Sequence, residues 1–272
     1  MKYVKTLLLY FFVFVAVQLV IGFAVQTLAT LFPEITSVMP SYKAAVILYS
    51  SGISSIILLV LFFTMRWYRE DRTFVRSRPW SVLCWSFLLG IGILLPLTRL
   101  EECIPQEWLT NLIQDEMNAI LHTRYGYFVI CILAPLMEEV IFRGAVINAC
   151  KTFSRNNAPS FVNATLLPLV ISALMFSLVH MNPAQMPHAF IVGLILGWVY
   201  LRTNSIIPCF IIHWLNNSSA YVLVNIFPHI PTDAKLVAYF NGSEAAVAQA
   251  VVFSLMIAIP SLYQITILTK RK

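Results

Sequence analysis

The feature that most constrains this chain is a series of long apolar runs. Residues 6–31 contain no charged side chain, and further stretches of this kind follow along the chain. Because a helix needs about 20 apolar residues to cross a bilayer, the sequence predicts an all-α, multi-pass transmembrane helix bundle. We expect about eight spans, at 6–31, 44–65, 80–98, 125–149, 160–180, 187–201, 205–227 and 245–269.

The composition agrees with this interpretation. The chain is 59% hydrophobic and 11% charged, with a mean hydropathy of +0.80, whereas soluble domains are about 25% charged. These values exclude a soluble domain, a disordered chain and a disulfide scaffold. The lipid bilayer is therefore the first predicted partner. Compact size and very short loops favour a bacterial plasma membrane.

Charge distribution predicts the orientation. With both termini placed in the cytoplasm, 13 basic residues fall on the cytoplasmic side and four on the other. This asymmetry follows the positive-inside rule. The net charge of +6 is therefore explained by membrane orientation. The sequence has no basic run interleaved with aromatic residues, so it does not predict a nucleic-acid partner.

The residues that could carry chemistry are concentrated in one part of a single integral membrane domain, 1–272. Residues 1–100 supply three predicted spans without motifs, and 120–225 form the predicted catalytic core. Glu138, Glu139 and Arg143 lie inside the predicted fourth span. Each such residue costs about 2.5–3.5 kcal/mol at mid-membrane if it is unpaired.

Helical spacing separates the roles of these three charges. Glu139 and Arg143 are four residues apart and can pair, whereas Glu138 lies about 100° around the helix. Glu138 is thus the carboxylate that remains available for a role other than this pairing. A purely structural network of all three remains the alternative.

Two further polar pairs occur in later apolar runs. Phe176 and His180 are one turn apart in FSLVH, and His213 and Asn217 are one turn apart in HWLNN. Each pair alone is typical of a hydrogen bond between helices. Together with Glu138 they indicate a functional site, because ionisable residues inside a membrane are costly to bury.

This set of groups suits hydrolysis. Glu138 could act as a general base on water, and His213 with Asn217 could donate hydrogen bonds to an oxyanion. His180 could orient the water or protonate the leaving group. Alternatively, Glu138, His180 and His213 could hold a catalytic divalent metal such as zinc, and the residues alone leave both possibilities open. The spans contain no Asp for an aspartyl dyad, and the sequence has neither HExxH nor GxSxG.

EEVIFR at 138–143, FSLVH at 176–180 and HWLNN at 213–217 match the signatures EExxxR, FxxxH and HxxxN. In this order the chain resembles the CAAX protease and bacteriocin-processing (ABI) family of intramembrane endopeptidases, which includes the type II CAAX prenyl proteases. The resemblance implies catalytic roles for Glu138, His180, His213 and Asn217. Glu139, Arg143 and Phe176 fall on supporting positions. Members are described both as glutamic proteases and as metalloproteases.

Straight helices would place Glu138, His180 and His213 at different depths. Pro168, Asn182, Pro183 and Pro187 lie along this part of the chain. We therefore expect the fifth helix to begin late and to end in irregular backbone, which is tolerated around a cavity. Gly193 and Gly197, in a GxxxG pattern, predict close helix packing nearby.

The leading functional prediction is an intramembrane endopeptidase that cuts a hydrophobic or prenylated, membrane-associated peptide. A non-catalytic scaffold or bacteriocin-immunity protein, which binds a peptide in the same cavity, is the second hypothesis. A proton-coupled transporter is the third, because buried Glu and His also form proton relays.

Overall fold

The computed structural model describes residues 2–37, 39–68, 72–77, 79–156, 165–231 and 234–270. Throughout these ranges the regular structure is helical, which confirms the predicted all-α class. The longer helices are α1 (Lys2–Leu31), α2 (Tyr42–Thr64), α3 (Trp80–Glu101), α4 (124–156), α5 (Leu167–Leu178), α6 (Met186–Thr203), α7 (Ile206–Ile226) and α8 (Glu244–Leu268). Short helices occupy Pro33–Thr36, Arg72–Arg76, Gln106–Trp108, Gln114–Leu121 and Leu236–Tyr239.

The positions of these helices follow the apolar runs. Within the described ranges, α1, α2, α3, α6 and α8 are long and apolar enough to cross a membrane. Helix α5 has only 12 residues, and residues 160–164 of the predicted fifth span lie outside the described part of the chain. The count of eight spans and the side of each terminus stay predictions.

Helix α4 provides the centre of the bundle. Every residue from Glu139 to Ile147 is buried, and Val140, Phe142 and Val146 belong to the main apolar core. The α4 backbone is approached closely at Gly144, which has no side chain. A Cβ atom added to Gly144 would lie 2.3 Å from the ring of Tyr68, so the connection after α2 packs directly on the α4 backbone.

Helix α4 is not a regular α-helix. Tyr127–Leu133 and Glu139–Ile147 are π-helical, and they flank the short α-helical segment Ala134–Glu138. Such widened turns are rare and occur frequently at functional sites. Glu138 ends the α-helical segment and Glu139 begins the second π-helical segment, so the two carboxylates that the sequence singles out lie at this junction.

Helix α5 ends as expected, in irregular backbone. It begins at Leu167 and ends at Leu178, and Met181 has a φ of 50°. Asn182 is buried and donates to Asn111 Oδ1 at 2.9 Å. The irregular end of the fifth helix is thus confirmed, whereas its late start stays a prediction, because residues 157–164 lie outside the described part of the chain.

The predicted close packing at the two glycines of α6 is also present. A Cβ atom at Gly193 would lie 3.0 Å from Cα of Ala173, and one at Gly197 would lie 2.7 Å from a methyl group of Leu169. Both contacts are with α5. The glycines therefore bring α6 against the helix that leads to His180.

Candidate active site

The site is built on a fully buried ion pair within α4. Glu139 and Arg143 have no solvent-exposed side-chain surface, and Arg143 Nη1 lies 3.1 Å from Glu139 Oε1. Their spacing of four residues is the one from which the sequence predicts a pair. The guanidinium makes no well-aligned hydrogen bond to any described residue. Its other close contact is the face of the Phe176 ring, at 4.4 Å from the ring centroid.

His213 lies between the two neighbouring carboxylates. Its Nδ1 donates to Glu139 Oε1 at 2.8 Å, and its Nε2 is 3.5 Å from Glu138 Oε2. Because the Glu139 carboxylate accepts a hydrogen bond from Nδ1–H, this contact fixes the orientation and the tautomer of the neutral imidazole. Nε2 is then the ring atom that faces Glu138.

Glu138 and Glu139 differ in their surroundings although they are adjacent. The Glu138 side chain retains 15% of its exposure, whereas Glu139 retains none. Glu139 is committed to Arg143 and His213. Glu138 has one charged neighbour, His213, and a partly open surface on which a small molecule could approach.

Phe176 joins the remaining parts of the site. Its ring meets His180 edge-on at a centroid distance of 5.0 Å and His213 at 5.5 Å. The backbone oxygen of Phe176 accepts a hydrogen bond from His180 Nδ1 at 2.8 Å. This contact holds the His180 ring against α5 and leaves its Nε2 as the atom that can accept a proton or a hydrogen bond.

Asn217 is turned towards α4. Its Nδ2 donates to the backbone oxygen of Ile130 at 3.0 Å, and its Oδ1 accepts from Nδ2 of Asn216 at 3.2 Å. Ile130 belongs to the first π-helical segment of α4. An amide nitrogen carries two hydrogens, so one N–H of Asn217 remains for another acceptor.

The predicted site residues thus come from α4, the end of α5 and α7. The structure brings Glu138, Glu139 and Arg143 to His213, and it links His180 and His213 through Phe176. Asn217 lies on α7 one turn from His213, but its amide bonds to backbone and to Asn216. The catalytic roles predicted for these residues remain predictions.

The metal alternative requires the side chains of Glu138, His180 and His213 to converge on one ion. Among the described residues, no group of three or more His, Cys, Asp or Glu side chains is arranged to hold a metal ion. His213 already faces a carboxylate from each ring nitrogen. Glu138, His180 and His213 therefore do not form a ligand set in this arrangement, and we derive no step through a metal.

The sequence did not predict two sets of contacts at the site. The first is the bond from His213 to Glu139, which joins residues 74 positions apart. The second is a group next to Asn217: His188 contacts Glu101 through Nδ1 and donates to Asn216 Oδ1 at 2.9 Å through Nε2. The only signal for this group in the sequence is the first Asn of HWLNN, Asn216.

Comparisons with known proteins agree with the motifs. Residues 120–219 match the family model of type II CAAX prenyl endopeptidases, Rce1-like. The chain is also 31% identical over 156 residues to the membrane-embedded CAAX protease MroQ of Staphylococcus aureus (strain USA300). That match covers 55% of this chain and 59% of the relative, so the chain spans about three fifths of the relative's length. No solved structure matches the chain.

The fold, the apolar helices and these matches define an integral multi-pass membrane protein. Through residues 120–219, the chain is similar to the type II CAAX prenyl endopeptidases of the Rce1-like family, in agreement with the resemblance that the three motifs carry.

Proposed function

We propose that this protein is an intramembrane endopeptidase that hydrolyses a peptide bond in a hydrophobic or prenylated, membrane-associated substrate. The observation that carries the proposal is the contrast between two adjacent carboxylates. Glu139 is sealed in an ion pair, whereas Glu138 is partly exposed and faces His213. Of these two carboxylates, Glu138 is the one whose partial exposure supports contact with water.

In the proposed reaction, Glu138 removes a proton from water while the water oxygen bonds to the carbonyl carbon of the peptide. The carbonyl electrons move to oxygen and form an oxyanion. The unused N–H of Asn217 is the first candidate donor to this oxyanion. His213 gives its Nδ1–H to Glu139, so it is a second donor when Nε2 also carries a proton. Donors already aimed at developing charge are worth most where water is excluded.

The leaving group completes the proton balance. When the tetrahedral intermediate collapses, the carbon–nitrogen bond breaks and its electron pair stays on nitrogen. That nitrogen takes the proton held by Glu138, which gives a free amine and a carboxyl group. His180 suits the orientation of the attacking water, because its Nδ1 is engaged with Phe176 and its Nε2 can accept a hydrogen bond.

The test compares the purified wild-type protein with Glu138→Gln in detergent. Both are incubated with a mixed library of hydrophobic and prenylated C-terminal peptides, and mass spectrometry identifies the products. Glu34→Gln serves as the matched control, because Glu34 is exposed and lies far along the chain from the motifs. We expect cleavage by wild type and Glu34→Gln and none by Glu138→Gln at equal thermal stability.

Two outcomes would contradict the proposal. Equal cleavage by wild type and Glu138→Gln would remove Glu138 as the base. Peptides that bind equally to both proteins and stay uncut would instead favour the scaffold hypothesis.

A further inference from the structure

A second polar cluster lies beside the candidate active site, and the hydrolysis described above does not use it. It consists of Glu101 at the end of α3, His188 in the first turn of α6 and Asn216 in α7. Three helices that are distant in sequence therefore meet through one imidazole. The cluster adjoins Asn217 directly, because Asn216 Nδ2 donates to Asn217 Oδ1.

In this cluster, His188 lies between two hydrogen-bond acceptors. Both ring nitrogens of His188 face acceptor oxygens, one of the Glu101 carboxylate and one of the Asn216 amide. An imidazole donates from both nitrogens only in its doubly protonated form. The contacts of both nitrogens fit an imidazolium paired with a carboxylate, whose second proton would fix which way the Asn216 amide points.

The orientation of Asn216 determines that of Asn217. With its oxygen held by His188, Asn216 presents its nitrogen to Oδ1 of Asn217. Asn217 must then direct its own nitrogen away, where it donates to the backbone oxygen of Ile130. A flipped Asn216 would place its oxygen against the oxygen of Asn217.

The location of the two charges is unfavourable for the helices that carry them. Glu101 is the last residue of α3 and His188 is the third residue of α6. A helix dipole disfavours a carboxylate at the C-terminus and a cation at the N-terminus. The pairing thus opposes the preference of each helix, which argues that the cluster serves more than local helix stability.

We infer that His188, anchored by Glu101, is a positioning residue that orients the amide of Asn217 through Asn216. This inference rests on the proposed function in one respect: the oriented N–H of Asn217 is a candidate oxyanion donor. His188 itself touches neither substrate nor reacting atoms. Its effect is on the geometry of Asn217.

The first experiment measures the network without any substrate. Protein labelled with 15N in histidine and asparagine is studied by NMR in detergent, and Asn217 and His188 signals are assigned by their loss in Asn217→Ala and His188→Phe. We expect both nitrogens of His188 to be protonated. We also expect the side-chain amide signals of Asn217 to shift in His188→Phe and to stay unchanged in the control His122→Phe, because His122 is exposed.

The second experiment uses the peptide that the wild-type protein cleaves. His188→Phe should lower kcat on the order of 10- to 100-fold, as misplacement of a catalytic group does, and change KM little. In an Asn216→Ala background the same substitution should have almost no further effect on kcat. A merely structural role predicts equal losses in both backgrounds, together with a lower melting temperature.

The two experiments separate the inference from the function on which it rests. If wild type cleaves nothing, the proposed function fails, and the NMR measurement alone decides whether His188 orients Asn217. Unchanged Asn217 signals in His188→Phe would overturn the inference even if the enzyme is active.

Discussion

The buried ion pair of Glu139 and Arg143 allows a quantitative prediction about stability. In Arg143→Met the side-chain volume is nearly kept, but the positive charge is lost. Glu139 is then left with no exposed surface and with His213 as its remaining polar partner. We expect a large loss of stability that does not depend on what the protein cleaves.

The magnitude follows from the environment of the pair. Removing one partner of a buried ion pair costs about 3–5 kcal/mol, and a desolvated cation over an aromatic ring adds about 2 kcal/mol to what is lost. Protonation of Glu139 limits the total, because a neutral acid avoids the cost of a buried charge. We therefore expect Arg143→Met to cost about 3–5 kcal/mol.

The assay is equilibrium unfolding in mixed detergent micelles, followed by circular dichroism and tryptophan fluorescence. Arg99→Met is the matched control, because Arg99 pairs with Glu102 and Glu244 at a partly exposed helix end. The double variant Glu139→Gln with Arg143→Met should recover part of the loss, since no buried charge remains. Equal midpoints for Arg143→Met and Arg99→Met would refute the reasoning.

Three further predictions concern packing and cofactor dependence. Gly144→Ala should lose about 1–3 kcal/mol of stability, because a Cβ atom there meets the Tyr68 ring at 2.3 Å, whereas Gly22→Ala has open space around it and should be neutral or slightly stabilising in thermal unfolding. Phe176→Leu should cost about 2 kcal/mol more than Phe142→Leu in the same assay, since only Phe176 carries the buried cation on its ring. If Glu138 acts on water without a metal, a strong chelator should leave peptide cleavage unchanged; cleavage that stops and returns with added zinc would instead support the alternative in which Glu138, His180 and His213 hold a divalent metal.

Local features of the fold were predictable because they depend on local chemistry. Apolar runs of sufficient length marked the helices, and the spacing of Glu139 and Arg143 predicted their pairing. Pro183 and Pro187 near His180 indicated that α5 would not continue as a straight helix. Each of these inferences uses residues within a few turns of one another.

Contacts between helices were not predictable from the sequence. In lipid, a helix can be apolar on all sides, so hydrophobic periodicity does not show which face meets a neighbour. The bond of His213 to Glu139 and that of His188 to Glu101 depend on helix rotation, which the sequence does not reveal. The π-helical turns of α4 change that rotation further, and no residue pattern identified them.

The site depends on two adjacent carboxylates with different surroundings, and this difference makes a last prediction about stability. Glu139 holds Arg143 and His213 by charge, so Glu139→Gln removes the partner of a fully buried guanidinium. Glu138 keeps part of its exposure and contacts His213 Nε2 at 3.5 Å, so Glu138→Gln leaves the buried guanidinium of Arg143 with its partner Glu139. Glu139→Gln should therefore unfold at a clearly lower denaturant concentration than Glu138→Gln, which should stay close to wild type. The reverse order would mean that Glu138 is a structural residue, and the proposed division between a supporting and a reacting carboxylate would then be wrong.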